Sequence, residues 1–280
     1  MLTTARTARP TMLCVIALAI STSAFAATPQ RIVTLSPHLA ELVCAAGACD
    51  RLAGVVAYTN YPPEAAKVAK VGDAFNVDLE RVAALKPDLV LAWAGGGGSA
   101  QTLARLRGLG LRVESLEVRK LDDIAIAITQ LGELLGTSAQ ASAEAQAVTQ
   151  RLASLRARYR GVRPLKVFYE IQVQPLYTVN ADSPISEAIT LCGGVNVFSS
   201  LNVIAGPVSV ESLFAADPDV VVYARQEEAA TREFWHGHPQ LRAIAAGRLY
   251  AVDADLLDRA TPRMLDGIGE LCTALERARG

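Results

Sequence analysis

An α/β fold of two Rossmann-like lobes, each built on a parallel sheet and joined by one long backbone helix with a cleft between them, follows from three observations. The first is an internal repeat. Residues 77–91 (VDLERVAALKPDLVL) match residues 208–222 (VSVESLFAADPDVVV), setting Glu80 against Glu211, Pro87 against Pro218 and Asp88 against Asp219, each 131 residues apart. The second is that strand and helix signals alternate within each copy. The third is a stretch between the copies, residues 137–160, that contains no glycine or proline.

The chain opens on an export signal. Arg6 and Arg9 give a positive start, residues 12–20 form a short apolar core, and Ala24-Phe25-Ala26 offers small residues where a signal peptidase reads. Cleavage is expected after Ala26. The apolar run is well short of the roughly 20 residues of a transmembrane helix. Cys14 follows the bulky Met12 and Leu13, an unsuitable setting for lipid attachment. Removing the leader leaves about 254 residues, with 25 basic against 28 acidic side chains and a net charge near −3. That balance, without a basic cluster, argues against nucleic acid. The expected organisation is a signal peptide over 1–26, an N-terminal lobe over 27–136, a connecting helix over 137–160 and a C-terminal lobe over 161–280.

Residues 32–35 and 166–169 read as the first strand of each half, each followed by a helix ending in glycine (41–47 and 187–193). In each repeat copy a short helix with apolar positions three and four apart stops before Pro-Asp, because the residue before proline disfavours the helical region. A leucine- and valine-rich run of the buried parallel-strand type follows. Residues 110–113 and 247–250 look like a helix stop and a new strand. The alternation predicts parallel sheets covered on both faces.

Segment 137–160 opens with Thr137 and Ser138 as capping candidates, and Ala145, Val148, Leu152 and Leu155 recur at helical spacing. It would run about 35 Å and link the lobes rigidly. A final helix is expected to start at Thr261 as N-cap, with Pro262 first inside, and to continue through Cys272.

Cys44, Cys49, Cys192 and Cys272 remain in the exported chain, an even number that suggests disulfides with three pairings open. The simplest is Cys44–Cys49 with Cys192–Cys272; two free buried thiols in place of either bridge are the alternative. The lack of C-x-x-C speaks against a redox site or zinc knuckle. Two lobes of this kind imply a binding crevice outside the carboxyl ends of their strands.

Other chemistries find little support. Three histidines (His38, His236, His238) are few for a zinc or manganese receptor. His236 and His238 precede Pro239 in a polar stretch and read as a solvated loop. His38 follows Ser36-Pro37 at the end of the first strand, where it lines the cleft or starts a helix. The glycines at 95–98 with Ser99-Ala100 satisfy G-x-G-x-x-A, but after the third strand of the lobe, where a dinucleotide fingerprint follows the first. They serve as a close backbone approach to a ligand or as a flexible loop. There is no G-x-S-x-G. Asp253, Asp255 and Asp258 would need one member with a raised pKa for glycoside chemistry; helix entry and cleft-rim solvation explain them more simply.

The segments RIVTLSPHLAELVCAAGACDRLAGVVAYTNYPP, VDLERVAALKPDLVLAW and DRATPRMLDGIGELC resemble the helical-backbone metal-receptor class of periplasmic binding proteins, over essentially the whole mature chain. That class serves ABC importers of siderophores, haem and vitamin B12. Tyr58 with Tyr61-Pro62-Pro63, Leu91-Ala92-Trp93, Cys192-Gly193-Gly194 and Arg259-Ala260-x-Pro262-Arg263 are most similar to its corrinoid receptors. The resemblance implies a periplasmic receptor, monomeric when free, that is not an enzyme and has neither a cofactor nor a metal site of its own. It would carry a corrinoid (cobalamin) to an importer permease and its ATPase. It implies ligand contacts from Tyr58, Trp93, Tyr177 and Arg259, with Phe75 displaced by one position from a family aromatic, and permease docking through Glu80 and Glu211. Alanine stands at 74 and 205 where the corrinoid receptors carry tryptophan. Haem or a ferric siderophore is the alternative ligand within the class, and an exported α/β enzyme the alternative outside it.

Overall fold

Two four-stranded parallel sheets carry the fold, and the repeat builds the same anchor into each. The computed structural model describes residues 27–73, 75–94 and 99–280. The leader with Cys14 and its cleavage site, Ala74 and the glycines at 95–98 lie outside the described residues.

In the N-terminal sheet β1 (Ile32–Thr34), β2 (Leu52–Gly54), β3 (Leu89–Trp93) and β4 (Val113–Leu116) run in the order β2-β1-β3-β4. The helices of this half are α1 (Pro37–Ala45), α2 (Pro63–Ala66), α3 (Leu79–Ala84), α4 (Ala100–Gly108) and α5 (Asp123–Leu135). The long helix α6 (Ser138–Arg158) leads to the second half. There β5 (Leu165–Glu170) is followed by β6 (Gln172–Val173) and β7 (Leu176–Val179), then β8 (Gly194–Asn196), β9 (Ala205–Pro207), β10 (Val220–Ala224) and β11 (Leu249–Val252). The main C-terminal sheet has the order β11-β10-β5-β8. Its helices are α7 (Pro184–Leu191), α8 (Val210–Ala216), α9 (Glu228–His236), α10 (Arg242–Ala245), α11 (Ala254–Leu257) and α12 (Met264–Arg279). A small antiparallel sheet β6-β7-β9 adds to the expected parallel pair, because the chain doubles back at Gln174-Pro175.

The repeat has a mechanical meaning. The Asp88 carboxylate accepts from the backbone N–H groups of Gln30 and Arg31 at 2.7 and 3.0 Å, fixing the entry to β1. Asp219 accepts from Lys166 N–H at 2.8 Å, fixing the start of β5. Arg31 and Lys166 each reach back to the last carbonyls before the turn, on Leu85 and Ala216. Both helices stop before Pro-Asp as the repeat implied, and Lys86 and Asp217, before the two prolines, have φ of +47° and +43°. Each ends its helix by turning left-handed, with Asp217 N–H bonded to Leu213 C=O and Lys86 N–H to Ala83 C=O.

Helix α6 buries Ala141, Ala145, Val148 and Leu152 and spans roughly 32 Å. Thr137 does not cap it with its side chain, and the Ser138 hydroxyl donates to Gly132 C=O instead. The inner faces of both sheets share one apolar core with α1, α5, α6, α7 and α12, reaching from Ile32 through Val148 to Leu275. The outer faces have cores of their own, around Val33 and Val90 in one half and Phe168 and Trp235 in the other.

Two details depart from the sequence reading, while the cysteines pair in its simplest arrangement. The last helix begins at Met264, because Thr261 commits its hydroxyl to Glu41 and caps nothing. His236 closes α9, and His238 is half-buried against the Phe234 ring at 4.6 Å, so the pair is not a solvated loop. Of the three pairings open, the bridges formed are Cys44–Cys49 and Cys192–Cys272, with Cα separations of 4.0 and 4.8 Å.

Candidate functional site

The carboxyl ends of both main sheets meet at a cleft between the lobes, the place where open α/β sheets bind ligands. Five of the eight strands lead into wall residues: His38 after β1, Trp93 at the end of β3, Val118 after β4, Ile171 after β5 and, past α11, Asp258 after β11. The floor is a recess of about 230 Å³, otherwise lined mainly by aliphatic side chains from Val179 to Met264. A mostly apolar hollow with a few polar groups is the usual make-up of a small-molecule site.

Two titratable side chains face this recess, and it shifts both. Loss of hydration in the recess lowers the His38 imidazole from 6.5 to about 4, with the Arg259 charge adding to the effect. The imidazole is therefore neutral at neutral pH. It stands edge-on to the Trp93 indole, with Ser36 Oγ 3.4 Å from Nε2. The enclosing walls raise the Asp258 carboxyl from 3.8 to about 6, even though solvent reaches it. Asp255 and Asp253 add to that shift; the Tyr169 hydroxyl, which donates to Asp258, and Arg259 oppose it. Asp255 is itself held by Asn60 and Arg259, so Asp258 has no free acid beside it among those two.

The aromatic candidates occupy different depths. Trp93 is half-buried on the floor. Tyr177 lies on the same face of β7 as Val179, which lines the recess, and its register partner is Pro207 just as Val179 pairs with Ala205. Tyr58 and Phe75 are on N-terminal loops, with 82% and 86% of their surface exposed. Ala205 lines the recess beside Ile204; Ala74 is not among the described residues. Arg259 is deep in the wall, its side chain only 11% exposed.

Sequence reasoning missed Glu41. Its side chain is 2% exposed on α1 of the N-terminal lobe, and it accepts from Arg259 at 3.0 Å, Thr261 Oγ1 at 3.0 Å and Arg263 at 3.4 Å, all C-terminal. The only sequence signal was a charged residue within the apolar run LAELVCAA. Glu80 and Glu211, by contrast, are exposed in the first turns of α3 and α8, whose N-caps Asp78 and Ser209 each accept a backbone N–H three residues on. The Glu211 carboxyl is held below its usual range by its own backbone N–H and, after that, by the Ser209 hydroxyl. Among the described residues there is no group of three or more His, Cys, Asp or Glu that could hold a metal ion, and no helix long and apolar enough to cross a membrane.

Residues 32–256 match the family model described as periplasmic binding protein. A vitamin B12-binding protein of Vibrio cholerae serotype O1 is 34% identical over 251 residues, covering 89% of this chain and 90% of the relative. The crystal structure of the periplasmic vitamin B12 binding protein BtuF of Vibrio cholerae superimposes with a TM-score of 0.83 at 33% identity, covering 90% of this chain and 98% of that one. A periplasmic heme binding protein from Pseudomonas aeruginosa superimposes with a TM-score of 0.77 at 28% identity, covering 88% and 92%.

Proposed function

Because the chain belongs to the periplasmic binding protein family, we propose that it captures a corrinoid in the inter-lobe cleft and delivers it to the permease of an ABC importer. The observation that carries this reading is the apolar floor of the cleft with Trp93 on it, supported by Tyr177 on the recess-lining face of β7 and by exposed Tyr58 and Phe75 on the N-terminal loops. A corrin is a broad, mostly apolar disc rimmed with amides. Rings stacked on it supply contact area, while Arg259 and Asp258 supply the polar side of the wall. The relatives named for vitamin B12 give the same answer along nearly the whole chain.

The mechanism is capture without chemistry. The loaded receptor docks through Glu80 and Glu211, one exposed acid per lobe on matching helices, and ATP is hydrolysed in another subunit. Duplicated acids suit a partner with two-fold symmetry. The export signal expected over residues 1–26 supports a periplasmic setting for this event.

One observation favours a second ligand. The neutral imidazole of His38 offers a lone pair in the recess, which suits a haem iron. Titration of the mature protein with cyanocobalamin and, in parallel, haemin separates the two. One-to-one cyanocobalamin binding at micromolar or tighter, about −8 kcal/mol, with haemin inert, is the expected result. Haemin binding alone would overturn the corrinoid reading.

A further inference from the structure

We propose that Glu41 is a positioning residue for ligand binding, acting through Arg259 on the loop that presents Tyr58; the ligand part of this inference rests on the corrinoid reading. Both Nη atoms of Arg259 are fully engaged. Nη1 donates to Glu41 at 3.0 Å and to Asn60 Oδ1 at 2.7 Å; Nη2 donates to Tyr58 C=O at 3.1 Å and to Asp255. A guanidinium has four Nη hydrogens, and these four acceptors use them all. Arg259 therefore has only Nε–H left for a ligand, and its main work is to grip the N-terminal lobe.

What it grips is strained. Tyr58 has φ of +63°, in the left-handed region that costs a side-chain-bearing residue energy and persists only where its surroundings impose it. The Tyr58 ring is largely exposed, so packing on the ring does not impose that geometry. The backbone does: Arg259 holds the Tyr58 carbonyl, Thr59 Oγ1 donates to Val56 C=O, and Lys70 donates to Thr59 C=O. Asn60 completes the link by donating to Asp255 at 2.6 Å, and Arg263 lies over the Tyr61 ring with its guanidinium carbon 4.0 Å from the centroid. Glu41 is the buried anion on which this cationic cluster converges. An aromatic ring with no aromatic or cationic partner among the described residues, held by a cross-lobe network on a strained backbone, is a ring set ready for a ligand.

The test uses the mature protein and Glu41→Gln, which keeps shape and removes charge. Hydrogen exchange of residues 56–62 in the free protein should quicken at least about tenfold. The Kd for cyanocobalamin should rise about tenfold, mainly through koff, and Glu41→Gln should add little to Tyr58→Ala, because coupled residues do not add. Unchanged exchange, or effects on Kd that simply multiply, would overturn the proposal. Should Glu41→Gln fold poorly, Asn60→Ala at the exposed end of the network must quicken the same exchange, and its failure to do so counts equally against the idea. If the wild type ignores cyanocobalamin, the corrinoid reading falls, while exchange at 56–62 still decides the positioning role.

Discussion

The imidazole of His38 stands edge-on to the indole of Trp93 on the cleft floor, ring centroids 5.2 Å apart and planes at 88°. The same enclosure that sets this contact keeps the imidazole neutral, lowering it from 6.5 to about 4. Between those values the unfolded chain binds a proton that the folded chain does not. The His38 contribution to stability is complete above pH 6.5 and is lost as pH falls toward 4, by up to about 3 kcal/mol. Denaturant melts across this window should show wild type losing stability relative to His38→Gln as pH falls.

Asp258 runs in the opposite direction. Its carboxyl is raised from 3.8 to about 6, so folding disfavours the ionised form, and the Asp258 contribution to stability increases as pH falls from above 6 toward 4. Asp258→Asn should stabilise the protein at pH 7 by about 1 kcal/mol, after discounting for the solvent that reaches the group. The asparagine oxygen can still accept from the Tyr169 hydroxyl. A destabilised Asp258→Asn at pH 7 would contradict the shift.

Glu80→Ala with Glu211→Ala should abolish uptake through the importer and leave cyanocobalamin affinity unchanged. Both side chains are exposed, so the melting midpoint should move by no more than about 0.5 kcal/mol equivalent. Loss of ligand binding in the purified double variant would count against a docking role.

The two disulfides should contribute unequally. Cys192–Cys272 closes 80 residues and Cys44–Cys49 only 5. By loop-closure entropy, paired Cys→Ala replacement should cost about 4 kcal/mol at the first and about 2 kcal/mol at the second. Denaturant melts of the two double variants check the order.

The lobes were legible because their evidence is local and written twice: Asp88 and Asp219 recur at one offset, and β3 and β10 are uninterrupted apolar runs. Trp93 could be placed at a strand end for the same reason. The left-handed Lys86 and Asp217 were not legible, since pre-proline preferences point to extended backbone. The hairpin at Gln174-Pro175 was too short to show a period. Least visible was the Glu41 network: Arg259 lies 218 residues away, and a start signal at Thr261 means little once its hydroxyl is claimed by the other lobe. Pairings across that distance leave no trace in spacing.

The shared core from Ile32 through α6 to Leu275 bears on how the molecule comes apart. Neither half possesses a private interior on its inward face, so losing one would strip apolar cover from the other. Heating should therefore produce a single calorimetric transition, with van't Hoff and calorimetric enthalpies in agreement. A two-lobed silhouette would then coexist with one thermodynamic unit, and partly molten intermediates, the usual prey of periplasmic proteases, would stay rare.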